Sequence, residues 1–355
     1  MDKLEHHPMK KTLILSLGRN NSLPVYAKEI YSNLPTDSFD VLLSKQSETK
    51  YLGSNRIEIH TYENKLQFIL NTIFYLPFFL CVFSLKIFKR YKKLYLPYMH
   101  FWDLPFILVF KMLKRKIILT VHDGELHKGE NGFLLRMLNR LEIMLADELI
   151  FLTPHVEKIV RTKYKVKKPL HIVPHGLLGE RGIKVKERRR ESGNLLFLGR
   201  ISPYKGVELL MKTAENLNYF ENLIIAGKSI YKLDYLRNAK IKIQDKYLSE
   251  AEITALLEWA DVLVLPYLEA SQSGVIPLGI NAAIPMVCTN VGGLRDQLEN
   301  DEAVFVEPNE HSLKAGIETL LNDTDLYNAI IAKLRHKKES LSWGTISEKV
   351  QRILT

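Results

Sequence analysis

Short, unbroken apolar runs recur along this chain, and several stop at a glycine or a proline. Residues 12–17 (TLILSL) stop at Gly18, residues 193–198 (GNLLFL) at Gly199, residues 222–226 (NLIIA) at Gly227, and residues 261–265 (DVLVL) at Pro266. A strand wetted on one face alternates apolar and polar residues. An unbroken run is the pattern of a strand buried on both faces, as in a parallel sheet covered by helices. Segments with helical spacing lie between the runs, at 24–34, 134–146, 206–217 and 249–259. Further strands are expected at 39–43, 56–60, 94–97, 116–121, 148–152 and 170–173, then at 285–289 and 302–306. The alternation predicts an α/β protein with parallel sheets. It restarts after a charged stretch at 179–192, so two Rossmann-like domains are expected, at 1–180 and 181–340. A helix at 341–355 would return to the first. A length of 355 residues suits two domains better than one.

Fifty Lys and Arg against forty Asp and Glu leave a net charge of +10. That balance favours anionic partners. The cations cluster at Lys86, Lys89, Arg90, Lys92 and Lys93, at Lys111, Lys114, Arg115 and Lys116, and at Lys184, Lys186, Arg188, Arg189 and Arg190. No nucleic-acid motif accompanies them, so no nucleic-acid partner is expected. The two cysteines, Cys81 and Cys288, lie far apart among apolar residues and are expected as buried, reduced thiols. No Cys/His spacing suits a metal, and no cofactor is expected. The opening residues are polar and unlike a secretory signal, which points to a cytoplasmic protein.

In open α/β sheets ligands sit beyond the carboxyl ends of the strands, and two such domains would share one cleft. The informative residues do follow strands. Gly199-Arg200-Ile201-Ser202-Pro203-Tyr204-Lys205-Gly206 lies between a strand and a helix. Gly199 allows a sharp turn, and Arg200 with Lys205 places two cations at a helix mouth that already favours anions. Such a loop suits a diphosphate, and equally suits an ordinary solvated surface. Gln272-Ser273-Gly274-Val275 precedes an apolar helix expected at 278–283. Its small residues let backbone amides approach a ligand, or simply cap the helix through Ser271 or Ser273. Glu269 is placed to accept hydrogen bonds from sugar hydroxyls or to be a surface carboxylate. His122 and Asp123 end the clearest strand of the first half, where they could orient or deprotonate a hydroxyl. His127 is a weaker candidate of the same kind. His175, in Pro174-His175-Gly176, reads as a structural turn residue.

Residues 66–85 are nearly uncharged, rich in Phe, Leu and Ile, and interrupted by Pro77. The length reaches that of a membrane span, yet the segment falls between strands of one sheet. It is read as a span, as a buried helix, or as a helix lying in a membrane surface and anchored by the basic residues after it.

In combination and order, these segments resemble the GT-B-fold glycosyltransferases of the family 4 type. The match runs through Gly199-Arg200 with Lys205-Gly206, residues 223–227 (LIIAG), 260–267 (ADVLVLPY), 285–294 with Gly292-Gly293-Leu294, 305–309 (FVEPN) and Ser342-Trp343. Thr120-Val121-His122-Asp123 and residues 172–176 fit more loosely. The resemblance implies that Arg200 and Lys205 bind the donor diphosphate; a UDP- or GDP-sugar donor is expected around them and around Gly199, Gly227, Gln272, Ser273, Gly274 and Val275. It implies that His122 lies by the transferred sugar, that configuration is retained, and that no metal is needed. The family usually carries two Glu residues eight positions apart. Here the second position is Leu278 and the first lies near Ala270, beside Glu269, so the usual ribose-holding carboxylate is missing. The expected activity is hexosyl transfer to a lipid-linked or saccharide acceptor in surface-polysaccharide assembly. The expected location is peripheral, on the anionic inner face of the cell membrane. The competing readings are a two-domain sugar-nucleotide epimerase and a non-catalytic binder of anionic lipid.

Overall fold

The computed structural model describes residues 12–20, 22–124, 132–179, 193–233 and 238–355. His127 and the basic cluster at 184–190 lie outside them. The chain divides into two compact units. Unit 1 comprises Met1–Leu152, Val156–Val173 and Trp343–Thr355, and unit 2 comprises Thr153–His155 and Pro174–Ser342.

Unit 1 is built on seven strands: β1 (Thr12–Ser16), β2 (Phe39–Ser44), β3 (Arg56–Ile59), β4 (Lys93–Leu96), β5 (Lys116–Val121), β6 (Glu148–Phe151) and β7 (Leu170–Ile172). They lie in the order β3-β2-β1-β4-β5-β6-β7. Every neighbouring pair is parallel. All five residues of β1 and all six of β2 are buried, as unbroken apolar runs require. The connecting helices are α1 (Ser22–Ser32), α2 (Lys65–Leu70), α3 (Leu76–Arg90), α4 (Asp103–Met112), α5 (Phe133–Leu145) and α6 (Pro154–Tyr164). Right-handed crossovers place α1 on one face of this sheet and α3 to α6 on the other. One core runs through the central strands and the inner sides of α3, α4 and α5, with Leu94, Leu119, Trp102, Phe106 and Ile143 fully enclosed.

The apolar segment expected at 66–85 is α2, one π-helical turn (Asn71–Tyr75) and α3 in succession. Pro77 has no N–H and crowds the carbonyl four residues earlier, and the widened turn before it absorbs that crowding. The reading as a buried helix is corrected. Of the most apolar stretch within Lys65–Ser84, 11% is buried. Only one stripe packs inward, through Leu76, Phe83 and the stacked rings of Phe79 and Phe83, 5.0 Å apart. Cys81, expected as a buried thiol, is exposed on this helix. An apolar sequence context on α3 does not signal burial, because the apolar residues encircle the helix. Cys288 is buried, and burial pushes its thiol pKa up.

Unit 2 is built on β8 (Leu195–Leu198), β9 (Leu223–Ala226), β10 (Ile241–Gln244), β11 (Val262–Leu265), β12 (Met286–Thr289) and β13 (Val304–Val306). Their order is β10-β9-β8-β11-β12-β13, all parallel. Its helices are α7 (Val207–Glu215), α8 (Glu250–Trp259), α9 (Val275–Asn281), α10 (Leu294–Gln297), α11 (Glu310–Asn322) and α12 (Thr324–Ser340). The last helix, α13 (Trp343–Leu354), belongs to unit 1. From β8 the chain builds outward through β9 and β10, then returns to lay β11 on the other side of β8. That reversal is a topological switch point at the carboxyl ends of β8 and β11, the position where open α/β sheets take their ligands.

Candidate functional site

At the switch point of unit 2, three loops meet whose backbones touch. After β8, Gly199 adopts φ +124° and its N–H donates to the Ala226 carbonyl at 2.9 Å. After β9, Gly227 adopts φ +147°. A Cβ there would sit 1.9 Å from the Gly199 carbonyl oxygen. A 3-10 turn (Pro203–Lys205) then leads to Gly206, at φ +66°, which joins it to α7. A Cβ on Gly206 would meet the Pro266 carbonyl oxygen at 1.9 Å. Only glycine satisfies both the backbone angle and the contact at these positions. Helix α7 therefore starts at Val207, behind Gly206, because a left-handed residue cannot continue a right-handed helix.

This arrangement aims the cations. Lys205 is half-buried, and its Nζ lies 3.6 Å from the centroid of the Tyr267 ring. Tyr267 is fully buried. Its hydroxyl shares a 3.1 Å hydrogen bond with Ser273 Oγ, and its carbonyl accepts from Thr289 Oγ1 at 2.6 Å. Burial pushes the phenol pKa up, so the ring stays neutral under the ammonium. Arg200 is exposed at the head of the same loop. The main chain of that loop is tied to the β11 loop through Leu268 N–H, which donates to the Tyr204 carbonyl at 2.8 Å. Glu269 follows, exposed.

The loop after β11 is held from a direction that sequence patterns do not reveal. Gln297, at the end of α10, grips Ser273 by both backbone groups. Its Oε1 accepts from Ser273 N–H at 2.7 Å, and its Nε2 donates to the Ser273 carbonyl at 3.0 Å. Gly292 and Gly293 pack so tightly on Ala270 and Ser271 that a Cβ would meet their carbonyl oxygens at 1.8 and 2.0 Å. Ser273 Oγ accepts from Val275 N–H at 3.3 Å, and α9 starts at Val275 behind its N-cap Gly274, three residues before the expected 278. Gln272 Oε1 is buried without a hydrogen-bond partner among the described residues, as is Ser202 Oγ. Leu278 is half-buried on α9.

The structure thus brings Gly199, Arg200, Lys205, Gly227, Glu269, Gln272, Ser273, Gly274 and Val275 to one end of the unit 2 sheet. His122 and Asp123 stand at the end of β5 in unit 1, both half-buried. His122 Nε2 lies 2.9 Å from the Pro97 carbonyl, and its ring meets the Tyr26 ring edge-on at 4.7 Å. The Nε2–H therefore donates to main chain, and this fixes the ring. Nearby, Gly18 N–H donates to Tyr98 Oη at 2.8 Å, where a Cβ would come within 2.9 Å of the same oxygen. His100 stacks on Tyr62, and burial, with Arg19 beside it, lowers its pKa to about 4. His175, read as a turn residue, is buried, with Nδ1 2.6 Å from the Gly176 carbonyl, and burial lowers its pKa to about 4. Tyr267, Gln297 and Tyr98 were not singled out from the sequence, since each acts through a contact between distant loops.

Comparison with known proteins bears on the same region. Residues 180–337, nearly the whole of unit 2, match the family model described as glycosyl transferases group 1. An uncharacterized glycosyltransferase of Methanocaldococcus jannaschii is 27% identical over 168 residues, covering 44% of this chain and 43% of that protein. The chain thus spans under half the length of that relative. The sucrose-phosphate synthase of Thermosynechococcus elongatus matches in structure with a TM-score of 0.71 at 15% identity, covering 97% of this chain and 98% of that one. HepE of Anabaena, solved in complex with UDP, gives a TM-score of 0.74 at 14% identity over 97% and 99% of the two chains. At such identities the likeness is one of fold.

Proposed function

We propose that the chain is a glycosyltransferase of the group 1 kind on a GT-B fold, in which unit 2 binds a UDP- or GDP-sugar whose hexose passes, with retention, to a lipid-linked saccharide. The observation that carries the reading is the ammonium of Lys205 seated on the buried Tyr267 ring, in the same loop as Arg200, at a switch point where glycines let the loops pack backbone against backbone. In the reaction the bond between the anomeric carbon and the diphosphate oxygen breaks, and its electron pair leaves with the phosphate. Arg200 and Lys205 meet the charge that develops there, in place of a metal. The acceptor hydroxyl oxygen bonds to the anomeric carbon and gives up its proton, for which Asp123 is the acceptor we assign. His122, its ring already fixed, orients the sugar. Glu269 takes sugar hydroxyls.

Gln272 Oε1 supports a donor at this end of the sheet, since a buried amide oxygen without a partner suits an N–H or O–H of a ligand. The complex of HepE with UDP supports a uridine nucleotide in the same fold. With Leu278 in place of the usual ribose-holding carboxylate, Gln272 is the side chain we assign to the nucleoside end. The exposed apolar segment α2 to α3 supports an acceptor held in a membrane, with the enzyme peripheral on its cytoplasmic, anionic face.

The test is turnover of a labelled donor with a lipid acceptor. Replacing Lys205 with Ala should lower kcat about a hundredfold, the scale of losing one preorganised group at a developing anion. Near-normal turnover would remove Lys205 from the site. Label recovered in an altered free sugar nucleotide, rather than in the acceptor, would replace transfer with epimerisation.

A further inference from the structure

We propose that the outer sides of α4 and α5 extend the α2–α3 surface into one broad face that lies on a bilayer containing anionic lipid, with α5 as a second point of contact. The inference rests on the reading of a membrane-bound enzyme and goes beyond the single segment that suggested it. Sequentially connected β4, β5 and β6 lie side by side, so α3, α4 and α5 form adjacent members of one layer on the same side of the sheet.

Helix α5 is turned inside out relative to an ordinary surface helix. Phe133, Leu134, Met137, Leu141 and Met144 are exposed, Phe133 by 78%, while Asn139 and Glu142 are buried. A soluble helix hides its apolar stripe and shows its polar one. On α4, Leu108 and Met112 face outward, Met112 by 83%. Contiguous apolar surface of this kind marks an interaction site.

Charge selects the occupant. Helices α2 to α5 and the π turn contain only two acidic residues, Asp103 and Glu142. Both are buried, and burial, then the charge of Asp103, raises the Glu142 pKa. What remains outside on α5, besides apolar side chains, is Arg136 and Arg140, with Lys114 just beyond α4. An apolar face edged by cations, with Asp147 just beyond α5 neutralised by Lys111 at 2.5 Å, complements an anionic headgroup layer over acyl chains. The arginine stems lie along the apolar side while their guanidinium groups reach the phosphates.

Flotation of the full-length chain with phosphatidylcholine vesicles, with and without phosphatidylglycerol, tests this. Wild-type protein should float with the anionic vesicles. The double variant Met137→Ser/Leu141→Ser should partition at least about tenfold more weakly, with an unchanged melting temperature and unchanged turnover of a soluble acceptor. Arg136→Gln/Arg140→Gln should lose the preference for phosphatidylglycerol, at roughly fivefold per arginine. If Phe74→Ser/Phe78→Ser abolishes flotation while both α5 variants float like wild type, α5 is not a contact and the membrane reading stands without it. If wild type stays in solution, both readings fall. A wild-type dimer that the α5 variants dissociate would assign the face to a second copy and overturn the proposal.

Discussion

Lys205 rests its ammonium on a ring that solvent does not reach, and the consequences can be separated atom by atom. A buried cation–π contact is worth about 2 kcal/mol. Tyr267→Leu should therefore raise the KM for the donor by roughly tenfold to thirtyfold. Tyr267→Phe keeps the ring and loses only the hydroxyl bond to Ser273, so its KM should stay within a few-fold of wild type. Equal effects in steady-state kinetics would show that the ring face is not what Lys205 uses. Glu142 makes a prediction of another kind. Burial, then Asp103, holds its carboxyl pKa well above the carboxylate range, so the folded protein keeps a proton that the unfolded chain releases above about pH 4.3. Stability from this group is complete below that pH and falls as pH rises toward the folded value. Glu142→Gln supplies a neutral amide at every pH. Its melting temperature should gain on wild type steadily from about pH 5 to about pH 8, and parallel melting curves across that range would refute the neutral carboxyl.

At the scale of elements, most strands could be read from their unbroken apolar runs, because burial on both faces removes the polar half of the alternation. Strand β10 could not. It is an edge strand whose Lys242 is exposed, and lysine on an edge guards against unwanted pairing while erasing the apolar signal. Helix α9 starts at Val275, three residues before the expected 278, because its N-cap, Gly274, directly follows the Ser273 that Gln297 holds. The loop after β11, to which we assign the donor, depends on Gln297, 24 residues downstream of Ser273. Gln297→Ala frees two backbone groups and should raise the donor KM several-fold with kcat less affected, since it loosens the loop and removes no reacting group. Gln297→Glu still accepts from Ser273 N–H but cannot donate to its carbonyl once ionised, so it should fall between wild type and Ala. If both variants lower kcat alone, loop positioning is not the role of Gln297. Gly206→Ala is the harsher change at the same site, because φ +66° and the Pro266 carbonyl oppose a Cβ together. It should unfold the loop or destabilise unit 2 by several degrees in a thermal melt.

At the scale of the whole molecule, the chain closes on itself in an order that linear reading only partly conveys. Helix α13, made of residues 343–354, packs in unit 1 although unit 2 lies between them in sequence. Ser347 Oγ donates to the Ile30 carbonyl at 3.1 Å, Trp343 meets Tyr26 edge-on at 5.7 Å, and Lys93 Nζ donates to the Leu354 carbonyl at 2.6 Å. Deleting residues 343–355 exposes α1 and should destabilise unit 1 while leaving unit 2 able to bind UDP. Differential scanning calorimetry with and without UDP measures both, and an unchanged first unit would refute the role of α13.

By itself the sequence determined the α/β class, the doubling of the fold and the places where chemistry could occur, since two-sided burial and strand-ending glycines are local requirements written into consecutive residues. Only the tertiary structure decided which side chains hold those places in shape: the ring under Lys205, the grip of Gln297 and the outward turn of the apolar side of α5. These depend on residues far apart in the chain meeting in space, and no period along a sequence encodes such a meeting.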